Sequence, residues 1–187
     1  MSKHDVRRRL LNQRQKLEYS CCVRLSDAVQ DGVIASAVYA EASALALYAP
    51  VRNEVHTDRL LKAALAVGKR VCFPRLENGL IIFVEVADPC DFQTGQFGIP
   101  EPQGRTGINP ECLDLIIVPG VGFDRLGHRV GYGLGCYDRV LTECSHAEFM
   151  GLAYSFQVVD RLPAEKHDIR LDYLVTEDEL IGFIHKR

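Results

Sequence analysis

Leu113-Asp-Leu-Ile-Ile-Val-Pro-Gly120 and, a short way on, Arg129-Val-Gly-Tyr-Gly-Leu-Gly-Cys-Tyr-Asp138 decide how this chain is read. Leu113–Val118 is an apolar run of the kind found in a strand buried on both faces, and Pro119-Gly120 stops it. A buried strand, then a loop, then a helix start is a unit of an α/β sheet. Ligands gather at the carboxyl ends of such strands, where a helix N-terminus favours an anion. In the second stretch Gly131, Gly133 and Gly135 fall on alternate positions. If the segment is extended, all three share one side and leave backbone N–H groups bare, so a phosphate chain can lie there without meeting a Cβ. Arg129 precedes the run as a fixed cation and Asp138 follows it as a carboxylate. The expectation is a cradle for a nucleotide polyphosphate and its metal. The spacing excludes a Walker P-loop and does not support a Rossmann dinucleotide site.

Working outward, residues 3–18 lack Gly and Pro and read as a helix. Val6, Leu10 and Leu17 line one stripe of it, and Lys3, Arg7 and Arg14 an adjoining one. A second helix is expected over 20–38 and a short strand over Ala44–Tyr48. Thr57 is placed to cap a helix over 58–67 that Gly68 ends. Arg70–Pro74 and Leu80–Glu85 read as strands joined by an Asn78-Gly79 turn. Residues 88–111, rich in Pro and Gly, read as a long irregular loop of functional character. A helix over 136–144 and strands over Phe149–Tyr154 and Tyr173–Thr176 complete the pattern. Strands alternate with helices, so the expected class is α/β with a mainly parallel sheet.

The chain of 187 residues suits a single domain, 1–187, with a sizeable core. A net charge of −3 gives no broad attraction to nucleic acid or anionic membrane, and the absence of Trp argues against a base-stacking platform. Seven cysteines include no C-x-x-C pair, which points to free thiols in a reducing compartment. No apolar h-region is visible near Met1, and no apolar stretch approaches the ~20 residues of a membrane span. A cytoplasmic protein is expected.

The stretch Val118-Pro119-Gly120-Val-Gly-Phe123-Asp124-x-x-Gly127-x-Arg129-x-Gly-Tyr-Gly-x-Gly-x-Tyr137-Asp138-Arg139 resembles the central motif of the 5-formyltetrahydrofolate cyclo-ligase family, also called 5,10-methenyltetrahydrofolate synthetases. Weaker matches follow in the right order over nearly the whole chain. They are Lys3-x-x-x-Arg7 with Arg14, Asn53-Glu54-Val55, Pro74-Arg75, Gly98-Ile99-x-Glu101-Pro102, and Gln157 to Thr176 with Leu162-Pro163, His167-Asp168 and Asp172. The resemblance implies a three-layer α/β/α fold similar to sugar-phosphate isomerases and CoA-transferase-like proteins. It also implies an ATP-dependent ligase, with ATP as co-substrate and Mg²⁺ as cofactor. The substrate would be 5-formyltetrahydrofolate, polyglutamylated or not, and the protein a monomer. In the family's reaction ATP phosphorylates the formyl oxygen, N10 attacks the activated carbon, and phosphate departs.

By the same resemblance, Arg129, Tyr137 and Asp138 form the catalytic group. Lys3, Arg7, Arg129, Gly131, Tyr132, Gly133, Leu134, Gly135, Cys136 and Tyr137 hold ATP. Ala49, Glu54 and residues 132–136 face the folate, and Asp138 and Asp168 hold Mg²⁺. Tyr132 and Cys136 would lie opposite the glycines. Tyr137 reads equally as a packing aromatic, and Arg139 either pairs with Asp138 or covers the helix start. His128 and His167 lack partners at ligand spacing, so surface or supporting roles are expected. The chain departs from the family at Cys136 (usually Tyr or Phe), Leu134 (Gly or Lys) and Val130 (Leu). The rival readings are a non-catalytic folate- or nucleotide-binding homologue and a phosphosugar isomerase on the related fold.

Overall fold

The computed structural model describes residues 2–88, 90–95, 98–104, 107–165 and 168–184. Helix α1 (Lys3–Gln15) starts on a capping box. Ser2 Oγ accepts from the Asp5 N–H at 3.2 Å, and the Asp5 carboxylate accepts from the Ser2 N–H at 3.3 Å. The helix expected over 20–38 is two helices, α2 (Tyr19–Ile34) and α3 (Ala37–Glu41). The break falls at Ser36, whose hydroxyl leaves the helix register to cap α3 at Tyr39 N.

Strand β1 (Ala44–Ala46) is followed by α4 (Asp58–Ala66), which Gly68 ends at φ 76°. Thr57 does not cap α4. Its hydroxyl donates instead to the Tyr48 carbonyl at 2.8 Å. The orphan N–H groups of Arg59 and Leu60 are met from another helix, by Gln30 Oε1 at 3.0 and 3.2 Å. Strands β2 (Arg70–Glu77) and β3 (Leu80–Glu85) form the expected hairpin. Asn78 and Gly79 both have positive φ, 50° and 78°, as a primed hairpin turn requires.

The described residues of the 88–111 stretch form more regular structure than its composition suggests. It contains β4 (Phe92–Thr94) paired with β5 (Pro100–Pro102), and β6 (Gly107–Ile108) paired with β3. Phe92 packs edge-on against Phe73, ring centroids 4.8 Å apart, which seats this segment on β2. Strand β7 (Leu115–Val118) is buried throughout. Asp114 stands just before it and is not part of the apolar run; its carboxylate accepts the N–H groups of Ser43 and Ala44 at 2.8 and 2.9 Å.

Beyond β7 lie β8 (Gly122–Asp124), β9 (Arg129–Val130), α5 (Cys136–Leu141), β10 (Glu148–Leu152), β11 (Val158–Val159), β12 (Tyr173–Val175) and β13 (Leu180–Gly182). The main sheet has the order β13-β12-β10-β7-β1-β2-β3-β6. It is mixed rather than mainly parallel: the five strands from β12 to β2 are parallel, and the edges turn antiparallel. For β2–β3 and β12–β13 the reason is connection length. Parallel neighbours need a crossover of a dozen or so residues, whereas a tight turn such as Asn78-Gly79 can only return the chain antiparallel.

Both faces of the sheet are covered. Leu45, Leu47, Val71, Ile117 and Leu152 pack with Val29 and Val33 of α2, Tyr39 of α3 and Leu60 and Ala64 of α4. Ala44, Ala46, Ile116, Val118 and Phe149 pack with Val140 and Leu141 of α5. Alternation along β1 therefore sends leucines to one side and alanines to the other. A third cluster joins Val6 and Leu10 of α1 to Val121, Val130 and Leu162. It sits beside the small sheet β11-β8-β9 and brings the first turns of α1 to the glycine segment.

Candidate active site

A cavity of about 440 Å³ opens at the carboxyl ends of β1 and β7. Every site residue expected from the sequence lines it, from Lys3 and Arg7, through Ala49 and Glu54, to Arg129, residues 131–138 and Asp168. Pro74, Arg75, Ile81 and the Ile99–Glu101 segment form its other wall.

The glycine segment reaches this place in a different conformation from the one expected. It is not an extended ribbon with three glycines on one side. After β9 the chain bends, with Gly133 at φ 105° and Gly135 at φ 64°. Glycine is needed at these two positions for backbone freedom, because an L residue with a Cβ is strained there. A Cβ on Gly131 would meet only Arg129 Nη1, at 3.7 Å. Gly135 stands at the N-cap of α5, so the bend delivers Cys136, Tyr137 and Asp138 as the first turn of that helix.

Three cations enter the cavity wall from two elements. Arg7 Nε donates to the Gly131 carbonyl at 2.7 Å and braces the bend from α1. Lys3 Nζ sits 2.8–2.9 Å from both carboxylate oxygens of Asp168 and 3.2 Å from Glu165. Burial lowers the Lys3 pKa, but the hydrogen bonds and charges of Asp168 and Glu165 outweigh it and raise the net value. Arg129 is buried, and its Nη2 donates to Asp138 Oδ1 at 2.9 Å. Its Nε has no protein partner. Burial pushes the Arg129 guanidinium below its usual range, and Asp138 only partly opposes this. A buried cation with an unmet donor favours an incoming anion.

The two carboxylates expected to bind metal line the same cavity. Asp138 Oδ1 also accepts from the Ile169 N–H at 3.4 Å, the peptide that follows Asp168. Among the described residues there is no group of three or more His, Cys, Asp or Glu side chains placed to hold a metal ion.

The opposite side of the cavity is built around Glu54, which is 4% exposed. Arg52 and Asn53 take positive φ, 49° and 57°, and this turn swings Glu54 inward. Asn53 Nδ2 anchors the turn by donating to the Arg14 and Leu17 carbonyls at the end of α1. Glu54 Oε2 accepts from Val51 N at 3.0 Å, and Oε1 from the Tyr132 hydroxyl at 2.9 Å. Burial raises its pKa, while the charge of Arg14, the Val51 N–H and the Tyr132 hydroxyl hold it down.

Tyr132 thus belongs to a network with Glu54. Arg14, left outside the expected site, is part of the same network: only 1% exposed, it donates to the Tyr132 oxygen at 2.5 Å. Its place on the Lys3–Arg7 stripe was the available signal. Arg139 does not pair with Asp138, whose partner is Arg129; the Arg139 guanidinium reaches the carbonyls of Gly79 and Leu134. His128 is buried rather than superficial. Its Nδ1 lies 3.0 Å from Asp124, and its Nε2 accepts from Arg170 Nε at 3.2 Å. It ties β9 to the segment leading into β12 and stands apart from the cavity lining. His167 lies outside the described residues.

The family model for the 5-formyltetrahydrofolate cyclo-ligase family matches residues 1–177. The chain belongs to that family. A probable 5-formyltetrahydrofolate cyclo-ligase of Caenorhabditis elegans is 33% identical over 176 residues, covering 86% of this chain and 85% of the relative. The 5-formyltetrahydrofolate cyclo-ligase of Escherichia coli K12 is 32% identical over 146 residues, 74% of this chain and 80% of that one. Among solved structures, the 5,10-methenyltetrahydrofolate synthetase of Aquifex aeolicus superposes with a TM-score of 0.90 at 36% identity, covering 100% of this chain and 95% of that one. That of Mycoplasma pneumoniae gives 0.79 at 26% identity, covering 95% and 99%. For this member of the cyclo-ligase family, no helix among the described residues is long and apolar enough to cross a membrane. Cys21, Cys22, Cys72, Cys90, Cys112 and Cys136 are free thiols.

Proposed function

We propose that this cavity converts 5-formyltetrahydrofolate to 5,10-methenyltetrahydrofolate at the expense of ATP. The formyl oxygen attacks the γ-phosphorus of ATP, the bond to the β-phosphate oxygen breaks, and ADP leaves. N10 then attacks the activated formyl carbon, the C–O bond breaks, and phosphate carries away the electron pair. Loss of the N10 proton leaves the methenyl product. The observation that carries the reading is the convergence of Lys3, Arg7 and Arg129 on the same cavity as the buried carboxylate of Glu54. One wall suits a polyphosphate and the other a heterocycle rich in N–H donors.

Each residue has a defined task in this reading. The bend from Gly131 to Gly135 and the first turn of α5 hold the phosphate chain, with Tyr132, Leu134, Cys136 and Tyr137 lining it. Arg129 meets that chain with its unpartnered Nε. Arg7 holds the bend, and Lys3 brings a second cation from α1. Glu54, with Ala49 and residues 132–136, receives the folate. Phosphoryl transfer needs positioning and charge neutralisation more than a covalent nucleophile, and this site offers those. The oxygen donors of Asp138 and Asp168 fit Mg²⁺, which takes one or two carboxylates and fills its shell with waters and phosphates. When bound there, Mg²⁺ neutralises phosphate oxygens of the nucleotide.

The covering of both sheet faces by helices supports the three-layer α/β/α arrangement and its likeness to sugar-phosphate isomerases and CoA-transferase-like proteins. We further infer one domain over 1–187, a cytoplasmic monomer, and no nucleic-acid or membrane partner. The test follows the near-ultraviolet absorbance of the methenyl product from 5-formyltetrahydrofolate with and without ATP and Mg²⁺. Product that requires both is expected. Its absence in their presence overturns the proposal in favour of a non-catalytic homologue. Turnover of a phosphosugar without ATP points to an isomerase.

A further inference from the structure

Arg14 lies in the last turn of α1, 1% exposed, yet its guanidinium makes polar contacts with three other segments. Nε donates to the Arg52 carbonyl at 3.0 Å and Nη1 to the Gly120 carbonyl at 2.9 Å. Nη2 donates to the Tyr132 hydroxyl at 2.5 Å and stands 3.7 Å from Glu54 Oε1. The Tyr132 hydroxyl in turn donates to that same Glu54 oxygen at 2.9 Å. The three groups therefore form a directional chain from cation to phenol to carboxylate. Taking a guanidinium and a carboxylate out of water is costly for both ions. Two carbonyl acceptors, a phenol and a counter-ion offset that cost only in this geometry.

We infer that Arg14 is the positioning residue of the folate pocket, holding Glu54 ionised and aimed while locking Tyr132 of the glycine bend to it. The inference rests on the proposed role of Glu54 as the folate contact. An ionised Glu54 can only accept, so it selects a ligand that presents N–H groups. Arg14 also makes the two halves of the cavity one rigid unit, because Tyr132 belongs to the phosphate-side bend. Among the described residues, the charged and titratable groups that face Glu54 are Arg14 on α1, Arg52 on its own turn, Tyr132 and Tyr137 from the glycine segment, Tyr48 beyond β1, and Tyr154, whose hydroxyl donates to the Glu54 carbonyl at 3.3 Å. Burial raises all four phenols, so near neutral pH they are uncharged and Arg14 and Arg52 are the cations that oppose protonation of Glu54. Arg52 is the more exposed of the two.

The experiment compares the full chain with Arg14→Gln and Arg14→Lys. It measures 5-formyltetrahydrofolate affinity without ATP, then kcat/KM for folate and for ATP, across acid to neutral pH. For Arg14→Gln, folate affinity falls by about tenfold or more, as for a lost hydrogen bond to a charged group. The acid limb of kcat/KM for folate moves up by about one pH unit or more, as for a lost opposite charge. The KM for ATP changes far less. Arg14→Lys keeps the limb near its original pH, because the charge is retained, but loses part of the affinity with the fork. If Arg14→Gln does not fold, the Arg14→Lys split between limb and affinity decides the matter. Folded variants that melt earlier but keep the original limb and folate affinity overturn the inference. Failure of the unaltered chain to form product strikes instead at the proposed reaction, since the binding measurement needs no turnover.

Discussion

Arg129 Nη2 donates to Asp138 Oδ1 at 2.9 Å, so the cation before the glycine bend is joined directly to the carboxylate after it. The pair closes the bend into a loop with the Arg129 Nε still unmet. Asp138 thus fixes Arg129, and in the proposed reading it also offers an oxygen to Mg²⁺. Asp138→Asn is expected to raise the apparent KM for Mg·ATP by roughly 10–100-fold, the usual range when a metal site loses a supporting group. Folate affinity measured without nucleotide stays close to its original value. Steady-state kinetics together with equilibrium binding read the two separately, and equal loss of both contradicts the assignment.

The bend depends on two left-handed glycines that fail to different degrees. At Gly135 a Cβ meets nothing within 4 Å, so Gly135→Ala costs only the backbone strain of φ 64°, about 1–2 kcal/mol. At Gly133 the φ is 105°, well past the αL well near 57°, so an L residue is more strained there, while its Cβ would stand in ordinary contact with the Arg7 guanidinium at 3.5 Å. Gly133→Ala is therefore expected to harm ATP use more than Gly135→Ala, in thermal melts and in ATP kinetics alike. A reversed order would count against the bend as the phosphate cradle.

Thiol labelling reports burial and occupancy together. Burial pushes the Cys72 thiol up to about 12, and Cys22 also upward, so both stay protonated and covered at mildly alkaline pH. Cys90 and Cys112 are exposed, and Cys136 lies half-buried in the cavity wall. Alkylation followed by peptide mass spectrometry is expected to mark Cys90 and Cys112 freely and to leave Cys22, Cys72 and Cys144 unmarked in the folded protein. Labelling of Cys136 is expected to fall when ADP or 5-formyltetrahydrofolate is present. Unchanged labelling at saturating ligand places the ligands elsewhere.

Leu45 is fully buried at the centre of the parallel sheet, on the face covered by α2 and α4. Leu45→Ala removes side-chain volume where β1 is flanked by β2 and β7 and little can move in to fill it. A loss of about 2–5 kcal/mol in denaturant unfolding is expected. A loss below about 1 kcal/mol would mean that the strand relaxes far more than a close-packed core allows.

Legibility in the sequence followed the range of the interactions involved. The apolar run ending at Val118, the Asn78-Gly79 turn and the Gly68 helix stop depend on residues adjacent in sequence, and each appears where it was expected. Thr57 shows the limit. Its type suits an N-cap, but Gln30 from α2 satisfies those N–H groups, and no local pattern announces a cap supplied from another helix. The short strands β8, β9 and β11 were likewise missed, since two or three residues carry too little periodicity to register.

The sequence by itself determined the family and singled out residues that line one cavity, because backbone-permissive glycines, Arg129, Asp138 and the Lys3–Arg7 stripe are properties of residue type and spacing. Only the tertiary structure decided how those residues are used. The glycines bend instead of lying extended, Lys3 meets Asp168 across the chain, and Arg14 is buried against Glu54 and Tyr132. The physical reason is that a charged side chain is placed by the surface its helix happens to cover. For α1 that surface is assembled from Gly120, Arg52 and Tyr132, which become neighbours only when the chain has folded.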